Sequence, residues 1–236
     1  MTYALVLLSG GMDSAVALFW AAQQNYKQVD ALTFDYGQVA ARRELSSSVN
    51  IWSAIMHHFP TGVQRKLTIM AFSFSGSSVL GRSTVDKYDN VEDAIRNTSK
   101  DKSYIPLRNA VLVTIAAGKL LTVNPKGGDI ITGIRGREGG GGFPDCTHRF
   151  AELMSASLTE AAGVPVNVVD PLNQMGLTTR KSTVEFARSI PGCFEALRHS
   201  YSCFTGNVEP CGHCLPCLRR AQAFAGLGIK DPALET

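Results

Sequence analysis

The sequence predicts an α/β protein with a doubly wound parallel sheet and a small C-terminal zinc-binding segment. Short apolar runs alternate with longer amphipathic stretches over most of the 236 residues, as in proteins whose parallel strands are joined by helices. The first apolar run ends in a Ser-Gly-Gly turn that leads directly into a helical stretch. Four of the six cysteines crowd into positions 203–217, which favours a metal site in a reducing compartment. We expect the α/β domain to cover residues 1–190 and the cysteine-containing segment to cover residues 191–236.

Composition places the chain among globular proteins of modest charge. Hydrophobic residues make up 44% of the chain and charged residues 18%, a balance that argues against a disordered protein. The formal net charge of +3 is too small to indicate a nucleic-acid partner, and it suits a substrate with phosphates equally well. We find no run of 18 apolar residues and no basic segment before the first apolar run. We therefore expect a cytoplasmic protein without membrane contact.

The first strand is predicted over residues 3–8, and the helix that follows it over residues 13–24. Between them a tight turn leads into a helix N-terminus, which is a common anion-binding arrangement. Gly10 and Gly11 permit a left-handed backbone and the close approach of a ligand, while neighbouring hydroxyl groups add donors. We expect Asp13 to cap the helix. The predicted phosphate cradle consists of Leu8, Ser9, Gly10, Gly11, Met12, Asp13 and Ser14.

The second and third strands are predicted over residues 29–36 and 66–72, with a helix over residues 40–59 between them. Parallel strands joined by helices end at the same edge of the sheet, so the end of the second strand lies beside the phosphate cradle. Residues 73–103 are rich in Ser, Gly, Asp and Lys and predict a long loop of the kind that often covers a site. The predicted nucleotide-binding residues after the second strand are Phe34, Tyr36 and Gln38.

The second half of the chain continues the alternation of strands and helices. Four consecutive glycines at 139–142 cannot lie inside an element, so they predict a loop that moves or lets a ligand approach the backbone. The predicted elements around this loop are helices over 110–121, over 147–162 and from 180, and strands over 129–134 and 164–169.

Cys203, Cys211, Cys214 and Cys217 have the spacing of a zinc site. Two overlapping C-x-x-C steps form a tight turn whose sulfurs converge, and Cys203 supplies a fourth ligand from the preceding loop. Four thiolates leave no open coordination position, so we expect the metal to be structural. An iron–sulfur cluster also takes four cysteines and stays as the alternative, whereas a redox pair needs only one C-x-x-C step. We expect His213 to be a bystander.

The glycine turn resembles the SGGxDS pyrophosphate loop of the N-type ATP pyrophosphatases. The Walker A pattern G-x-x-x-x-G-K-[ST] has no match in the chain. Further motifs follow in order: FDYGQ at 34–38, PLRN at 106–109, FPDC at 143–146, and SCFTG at 202–206 with CGHC-x-x-C at 211–217. Together these motifs cover nearly the whole chain, and in this order they resemble the QueC family, the 7-cyano-7-deazaguanine synthases.

The resemblance implies an adenine nucleotide alpha hydrolase-like fold and an ATP-dependent C–N ligase. Such an enzyme adenylates the carboxylate of 7-carboxy-7-deazaguanine, and ammonia then displaces AMP to give the amide. A second activation gives the nitrile, 7-cyano-7-deazaguanine. The implied cofactors are ATP, Mg2+ and Zn2+, and the implied assembly is a homodimer.

The resemblance also assigns roles to side chains. A carboxylate can accept paired hydrogen bonds from a guanine-type N–H and amine, which favours Asp145 and Glu138 as contacts to the deazaguanine. A basic residue at the start of the late helix, Lys181 or Arg180, is expected to offset phosphate charge. The predicted catalytic residues are Asp13, Ser14, Arg108 and Lys181. The predicted substrate-binding residues are Arg108, Asn109, Glu138, Phe143 and Asp145.

This chain departs from the family pattern in the segments that we expect to bind the acceptor of the activated carboxylate, and not in those expected to bind ATP or zinc. Residues 39–41 separate Gln38 from the next arginine, and Leu107 stands where the family has a glycine. The loop before Phe143 contains four glycines and is one residue longer. A QueC-like enzyme of an antiphage defence operon, which joins the activated deazaguanine to a protein amine, is therefore the main alternative.

Two interpretations from other classes also stay open. A tRNA thiolase shares the pyrophosphate loop, but it needs reactive cysteines at the ATP site, where we expect only Cys146. A zinc-ribbon module that binds nucleic acid would use Arg219 and Arg220 beside the metal. Two arginines provide little positive charge for binding nucleic acid, and a zinc-ribbon module would not explain the first 200 residues.

Overall fold

Among the described residues, five parallel strands form a sheet in the order β3-β2-β1-β4-β5. The structure is a computed structural model that describes residues 3–58, 66–73, 87–97, 104–136 and 142–234. The strands are β1 (Tyr3–Leu7), β2 (Gln28–Asp35), β3 (Leu67–Ala71), β4 (Gly128–Ile131) and β5 (Val166–Val169). β1 pairs with β2 on one side and with β4 on the other, so the strand order reverses between β1 and β4. Ligands of such sheets bind at this reversal, outside the carboxyl ends of the strands.

Helices cover both faces of the sheet. They are α1 (Met12–Ala22), α2 (Ala41–His58), α3 (Val91–Asn97), α4 (Arg108–Val123), α5 (His148–Ala162), α6 (Pro171–Gln174), α7 (Arg180–Ser189), α8 (Cys193–Ala196) and α9 (Leu215–Ala225). Short 3-10 turns lie at Pro144–Cys146 and Leu197–His199.

Alternate side chains of β1 enter two different cores, because successive residues of a strand point to opposite faces. Ala4 and Val6 pack on the face covered by α1, α2 and α7. Tyr3 and Leu5 pack on the other face, against α4 and α5. The helices on both faces and the parallel strands confirm the predicted doubly wound α/β class.

The predicted strand ends and helix ends are shifted by one to three residues, and two shifts matter for the site. The fourth strand ends at Ile131 instead of residue 134, because the chain leaves the sheet there and runs into the site. The prediction that Asp13 caps the first helix is wrong. The helix begins at Met12 after Gly11, which caps it without a side-chain hydrogen bond, and Asp13 lies within the first turn.

Some predicted features lie outside the described residues. They include the site residue Glu138, most of the glycine run at 139–142 and most of the predicted loop at 73–103. The described part of that loop contains α3, which the polar composition did not suggest. Asn90 accepts a hydrogen bond from the backbone N–H of Asp93 at 2.8 Å, and this contact at the start of α3 is typical of an N-cap.

The C-terminal residues pack on the same face as α1. Phe224 and Ala223 of α9 belong to the core that contains Phe19. Arg220 is buried and donates to both carboxylate oxygens of Asp231 and, at 3.1 Å, to the backbone oxygen of Ser200. Within the described ranges, no helix combines the length and apolar character needed to span a membrane. The division into residues 1–190 and 191–236 stays a prediction.

Candidate functional site

A cavity of about 430 Å3 lies at the carboxyl edge of the sheet, where the strand order reverses. The turn after β1, the end of β2 and the segment after β4 contribute to its wall. The N-terminal ends of α4 and α7 and the start of α9 complete it. This is the position at which open α/β sheets bind their ligands.

The turn after β1 is held by hydroxyl groups. Ser14 Oγ accepts from the backbone N–H of Ser9 at 3.1 Å and donates to the backbone oxygen of Gly11 at 2.9 Å. Gly10 has a φ of +79°, and a Cβ there would lie 2.3 Å from the backbone oxygen of Glu44, so only glycine fits. Of the predicted cradle, all residues but Gly10 line the cavity, namely Leu8, Ser9, Gly11, Met12, Asp13 and Ser14.

The segment after β4 runs against the start of α1. A Cβ on Gly133 would lie 2.7 Å from the backbone nitrogen of Ser14. The close approach places the next residues, Ile134 and Arg135, in the cavity wall beside the phosphate cradle. A glycine at this position therefore allows two neighbouring elements to share one site.

Arg135 and Asp13 form an ion pair at the cradle. Arg135 Nη2 lies 3.0 Å from Asp13 Oδ2, and the arginine side chain is only 2% exposed. Arg135 Nε and Nη1 and Asp13 Oδ1 are buried, and none of them has a hydrogen-bond partner among the described residues. Arg135 is not among the residues predicted from the sequence; a basic residue just after a strand end, at the edge that carries the cradle, was the available signal.

A second arginine, Arg180, faces the same end of the cavity. Thr179 and Ser182 form a capping box at the start of α7, which makes Arg180 the first helical residue. Arg180 lines the cavity and donates to the backbone oxygen of Pro216 at 3.3 Å. Lys181, the predicted catalytic residue, is exposed beside Gly226 and is not among the described residues that line the cavity.

Arg219 of α9 completes this cationic end of the cavity. The pKa of Arg180 is lowered to about 10, chiefly by burial; the charge of Asp13 opposes the shift, and the nearby charges of Arg135 and Arg219 add to it. Burial and then Arg135 also lower the pKa of Arg219. Burial is therefore the main cause of both shifts, and the neighbouring arginine charges contribute to each.

Tyr36, Glu44 and Arg108 line the cavity beyond the cradle. Burial lowers the pKa of Arg108, but the facing groups of Tyr36, Cys146 and Asp145 outweigh it, so the net shift of this pKa is upward. Burial raises the pKa of Glu44, although a hydrogen bond from Gln38 and the charge of Arg108 oppose the shift. Arg108 therefore keeps its positive charge although its side chain is partly buried.

Gln38 supports this part of the wall from behind. Its Nε2 donates to Glu44 Oε2 at 2.7 Å, and its Oε1 accepts from the backbone N–H of Tyr36 at 2.9 Å. Phe34 and Tyr36 line the cavity, whereas Gln38 is buried and not part of the lining. The sequence analysis did not select Glu44, which lies in a charged helix turn that gave no sign of its orientation.

Four of the five predicted substrate residues are among the described residues, and they lie in or beside the cavity wall. Arg108, Asn109 and Phe143 line it, and the ring of Phe143 stacks on Tyr104 with centroids 5.0 Å apart. Asp145 is buried next to the lining, where its Oδ2 accepts from the backbone N–H of Asn109 at 3.1 Å. One oxygen of this carboxylate is thus already engaged at the start of α4.

Cys146 lines the cavity beside Asp145. Burial, followed by the neighbouring charge of Asp145, raises the pKa of its thiol to about 11. The Nδ2 of Asn109 donates to its sulfur at 3.4 Å. At neutral pH this side chain is a protonated thiol, which is a poor nucleophile.

The four predicted metal ligands lie together. The sulfurs of Cys203, Cys211, Cys214 and Cys217 are all within 4.8 Å of one another. Hydrogen bonds from the thiols of Cys214 and Cys217 lower the pKa of Cys203, and the backbone N–H of Cys211 donates to its sulfur at 3.3 Å. Four converging sulfurs fit a tetrahedral zinc ion.

Residues next to the cysteine cluster in sequence form part of the cavity wall. α9 begins directly after Cys214, and the loop that precedes Cys203 passes the cradle, where Tyr201 N–H donates to the backbone oxygen of Gly10 at 2.9 Å. The cavity residues from this part of the chain are Tyr201, Ser202, Phe204, Leu215, Pro216 and Arg219.

Comparison with known proteins agrees with this geometry. A family model described as "Queuosine biosynthesis protein QueC" matches residues 3–228. A 7-cyano-7-deazaguanine synthase of Chromobacterium violaceum is 34% identical over 98% of this chain and 93% of its own. A synthase of the same name from Methanosarcina mazei is 32% identical over 98% of this chain and 97% of its own. One from Methanococcus maripaludis is 32% identical over 97% of both chains.

Proposed function

Because the chain belongs to the QueC family, we propose that it uses ATP to activate the carboxylate of 7-carboxy-7-deazaguanine and couples it to ammonia. The proposal rests on one observation: the Ser9–Ser14 turn, Arg108 and Phe143 all line the same cavity. Glycines and hydroxyl groups at a helix N-terminus suit phosphates, while a buried cation and an aromatic ring suit a flat anionic substrate.

The proposed reaction has two rounds of activation. In the first, a carboxylate oxygen attacks the α-phosphorus of ATP, the bond to pyrophosphate breaks, and an acyl adenylate forms. The nitrogen of ammonia then attacks the acyl carbon, AMP leaves and a proton is lost, which gives the amide. In the second round the amide oxygen attacks the α-phosphorus of a second ATP and pyrophosphate leaves; loss of AMP and of both amide protons then gives the nitrile.

Asp13 and Ser14 are the residues we assign to the phosphate end. Ser14 holds the turn in shape through its two backbone contacts, so that the N–H groups at the start of α1 face the cavity. Asp13 has one oxygen on Arg135 and one buried oxygen without a partner in the described structure, which fits a single carboxylate ligand of Mg2+. Mg2+ bound there would neutralise charge on the phosphate oxygens.

Arg108, Asn109 and Phe143 are the residues we assign to the deazaguanine. The charged Arg108 attracts the substrate carboxylate, and the stacked pair of Phe143 and Tyr104 offers a flat surface to the bicyclic ring. Asn109 N–H engages Oδ2 of Asp145, and we assign Oδ1, which accepts from the Cys146 thiol at 3.9 Å, to a substrate N–H. Glu138 stays a prediction. For the basic residue of the late helix we prefer Arg180 to Lys181, because it lines the cavity.

Zinc in the cysteine cluster would have a structural role. It would hold the loop that contains Tyr201 and the start of α9 in the cavity wall, and four thiolates leave it no open position for substrate. The homodimer and the cytoplasmic location stay predictions.

Mass spectrometry of the reaction products tests the proposal. The protein is incubated with ATP, Mg2+, 7-carboxy-7-deazaguanine and ammonium, and we expect AMP, pyrophosphate and the nitrile. Reactions without the deazaguanine should form no AMP. If AMP formation does not depend on the deazaguanine, the proposed substrate is wrong. If the deazaguanine is found as an adduct on an operon partner protein, the acceptor is a protein amine, as in the alternative from the antiphage systems.

A further inference from the structure

Asp170 is a buried carboxylate that contacts two different elements. It directly follows β5 and is 0% exposed. Its Oδ1 accepts from Nδ1 of His148 at 2.8 Å, and its Oδ2 accepts from Nδ2 of Asn173 at 2.8 Å. His148 is the first residue of α5, and Asn173 lies in α6. Because a buried charge without partners is costly, the carboxylate holds both of these side chains in place.

Asn173 extends this set of contacts to the segment after β4. Its Oδ1 accepts from the backbone N–H of Gly136, and a Cβ on Gly136 would lie 3.3 Å from the same oxygen. The preceding residue, Arg135, lies in the cavity wall and pairs with Asp13 of the phosphate cradle at 3.0 Å. The side-chain amide of Asn173 therefore joins the segment at the cradle to Asp170.

His148 extends the contacts to the opposite part of the cavity wall. It follows Thr147, whose hydroxyl group donates to the backbone oxygen of Pro144 at 3.2 Å. In the same turn, the N–H of Cys146 donates to the backbone oxygen of Phe143 at 3.1 Å. Both Phe143 and Cys146 line the cavity. These contacts connect the turn that contains Phe143 to the start of α5, and so to the buried carboxylate.

We propose that Asp170, acting through His148 and Asn173, is a positioning residue that couples the two sides of the cavity. A nucleotide bound at the cradle then orders the start of α5 and the turn before it. The inference rests on the proposed function in that ATP binds at the cradle and the deazaguanine binds at the turn that contains Phe143. None of the three coupled residues is among the described residues that line the cavity, so their effect on either ligand is indirect.

The coupling follows from shared restriction of the backbone. A ligand that fixes Arg135 in the wall also restricts Gly136, its neighbour in the chain. Through Asn173 and Asp170 this restriction reaches His148 and the turn before it. Each ligand then removes conformational freedom that the other would otherwise have to remove, which makes the two binding events mutually favourable.

Hydrogen–deuterium exchange with α,β-methylene-ATP tests the coupling. This analogue cannot be cleaved between the α- and β-phosphorus, so it occupies a nucleotide site without turnover. In wild type we expect the analogue to slow exchange at residues 9–15 and, by about fivefold or more, at residues 150–153 of α5. Residues 150–153 are not among the described residues that line the cavity, so a nucleotide there does not cover them directly.

Asn173→Ala is the decisive variant. It breaks the links to Gly136 and Asp170, whereas Asp170 keeps His148 as its partner, so we expect the fold to be retained. The analogue should protect residues 9–15 as in wild type and should no longer protect residues 150–153. A general loss of stability would instead speed exchange at both places, and the melting temperature of the variant checks for it.

Two further variants test whether the effect is specific. His148→Ala breaks the other link of Asp170 at a half-exposed side chain and should give the same loss as Asn173→Ala. Asn167→Ala is the matched control. Asn167 also donates its amide to a buried carboxylate, that of Asp129, at 2.8 Å, and neither residue is among the described cavity lining. This control should keep the wild-type pattern of protection.

Isothermal titration calorimetry gives a second measurement of the coupling. In wild type the analogue should raise the affinity for 7-carboxy-7-deazaguanine about fivefold or more, and in Asn173→Ala it should leave this affinity unchanged. The coupling is refuted if the analogue protects residues 9–15 of wild type but not residues 150–153. It is also refuted if Asn173→Ala keeps the full protection at residues 150–153.

The outcomes separate the coupling from the proposed function. If the exchange pattern is as expected but the deazaguanine neither binds nor stimulates AMP formation, the coupling stands and the substrate assignment falls. If the nitrile forms but protection does not reach residues 150–153, the ligase stands and the coupling falls. If the analogue leaves residues 9–15 unprotected, no nucleotide binds at the cradle and both are wrong.

Discussion

Asp13 and Ser14 are neighbours at the start of α1 with different structural roles. Ser14 connects the two ends of the glycine turn through its hydroxyl group, whereas Asp13 fixes Arg135 from a segment more than a hundred residues away in sequence. Cys146 lies across the same cavity as a buried thiol. Each of these side chains allows a test that leaves the rest of the fold in place.

Ser14→Ala removes three hydrogen bonds from the turn. We expect ATP-dependent AMP formation to fall at least tenfold, because the backbone N–H groups are no longer held toward the phosphates, while zinc content stays the same. Ser189→Ala is the matched control, since Ser189 is exposed and its hydroxyl contacts only its own helix turn in the described structure. Normal turnover by Ser14→Ala would show that the turn is not the phosphate cradle.

Cys146 should resist alkylation at neutral pH. Its pKa is raised to about 11 from an ordinary value near 9, so at pH 7.5 its thiolate fraction is about a hundredfold lower than that of a free cysteine. The rate of modification by iodoacetamide should rise about tenfold per pH unit and level off only near pH 11, and peptide mass spectrometry measures it. Denatured protein is the control and should react at once. Fast modification of the folded protein at pH 7.5 would instead favour thiol chemistry at the ATP site.

Between elements, glycines determine how closely the parts of the site approach. β4 ends where the chain passes the start of α1 at Gly133, and the turn after β1 packs on α2 at Gly10. α7 presents Arg180 instead of Lys181 to the cavity because the capping box at Thr179 fixes where the helix begins. A change of a few tenths of an ångström at these contacts would move several site residues together.

Gly133→Ala tests the contact between β4 and α1. Its Cβ would lie 2.7 Å from Ser14 N and force the two segments apart, so we expect weaker ATP binding and a lower melting temperature. Gly118→Ala is the control. Gly118 lies inside α4 with open space around it, and alanine there should stabilise the protein by about 0.5–1 kcal/mol. Unchanged ATP affinity in Gly133→Ala would show that the close approach has no role in the site.

Across the whole molecule, the C-terminal segment is part of both the core and the cavity. Phe224 packs with residues of α1, Arg220 binds Asp231 and the loop at Ser200, and Arg219 enters the cavity wall. A loss of order in the cysteine cluster should therefore affect stability and anion binding at once.

Cys214→Ser tests this coupling. Cys214 is fully buried among the four sulfurs, so we expect the variant to lose zinc and soluble yield together. Cys193→Ala is the control, because Cys193 is equally buried but lies outside the cluster; it should keep its zinc. Chelation of zinc from wild type should lower ATP affinity, and added zinc should restore it. A well-folded Cys214→Ser protein without metal would contradict a structural role for zinc.

By itself, the sequence determined the features that depend on short stretches of chain. Apolar runs identified the strands to within a few residues, and the spacing of the four cysteines identified the metal cluster, because neighbours in sequence are neighbours in a strand or a tight turn. The Ser-Gly-Gly turn predicted for the same reason that the end of β1 lies in the wall of a site.

Tertiary structure alone decided which charged side chains face the cavity. Arg135, Arg219 and Glu44 lie in the wall, Gln38 lies behind it, and Arg180 takes the position expected for Lys181. Which of these side chains faces the cavity depends on where each helix begins and on its rotation about its axis. It also depends on contacts between residues far apart in sequence. Only packing brings such residues together, so a local pattern such as the basic residue after β4 could suggest Arg135 but could not show that it faces the cavity.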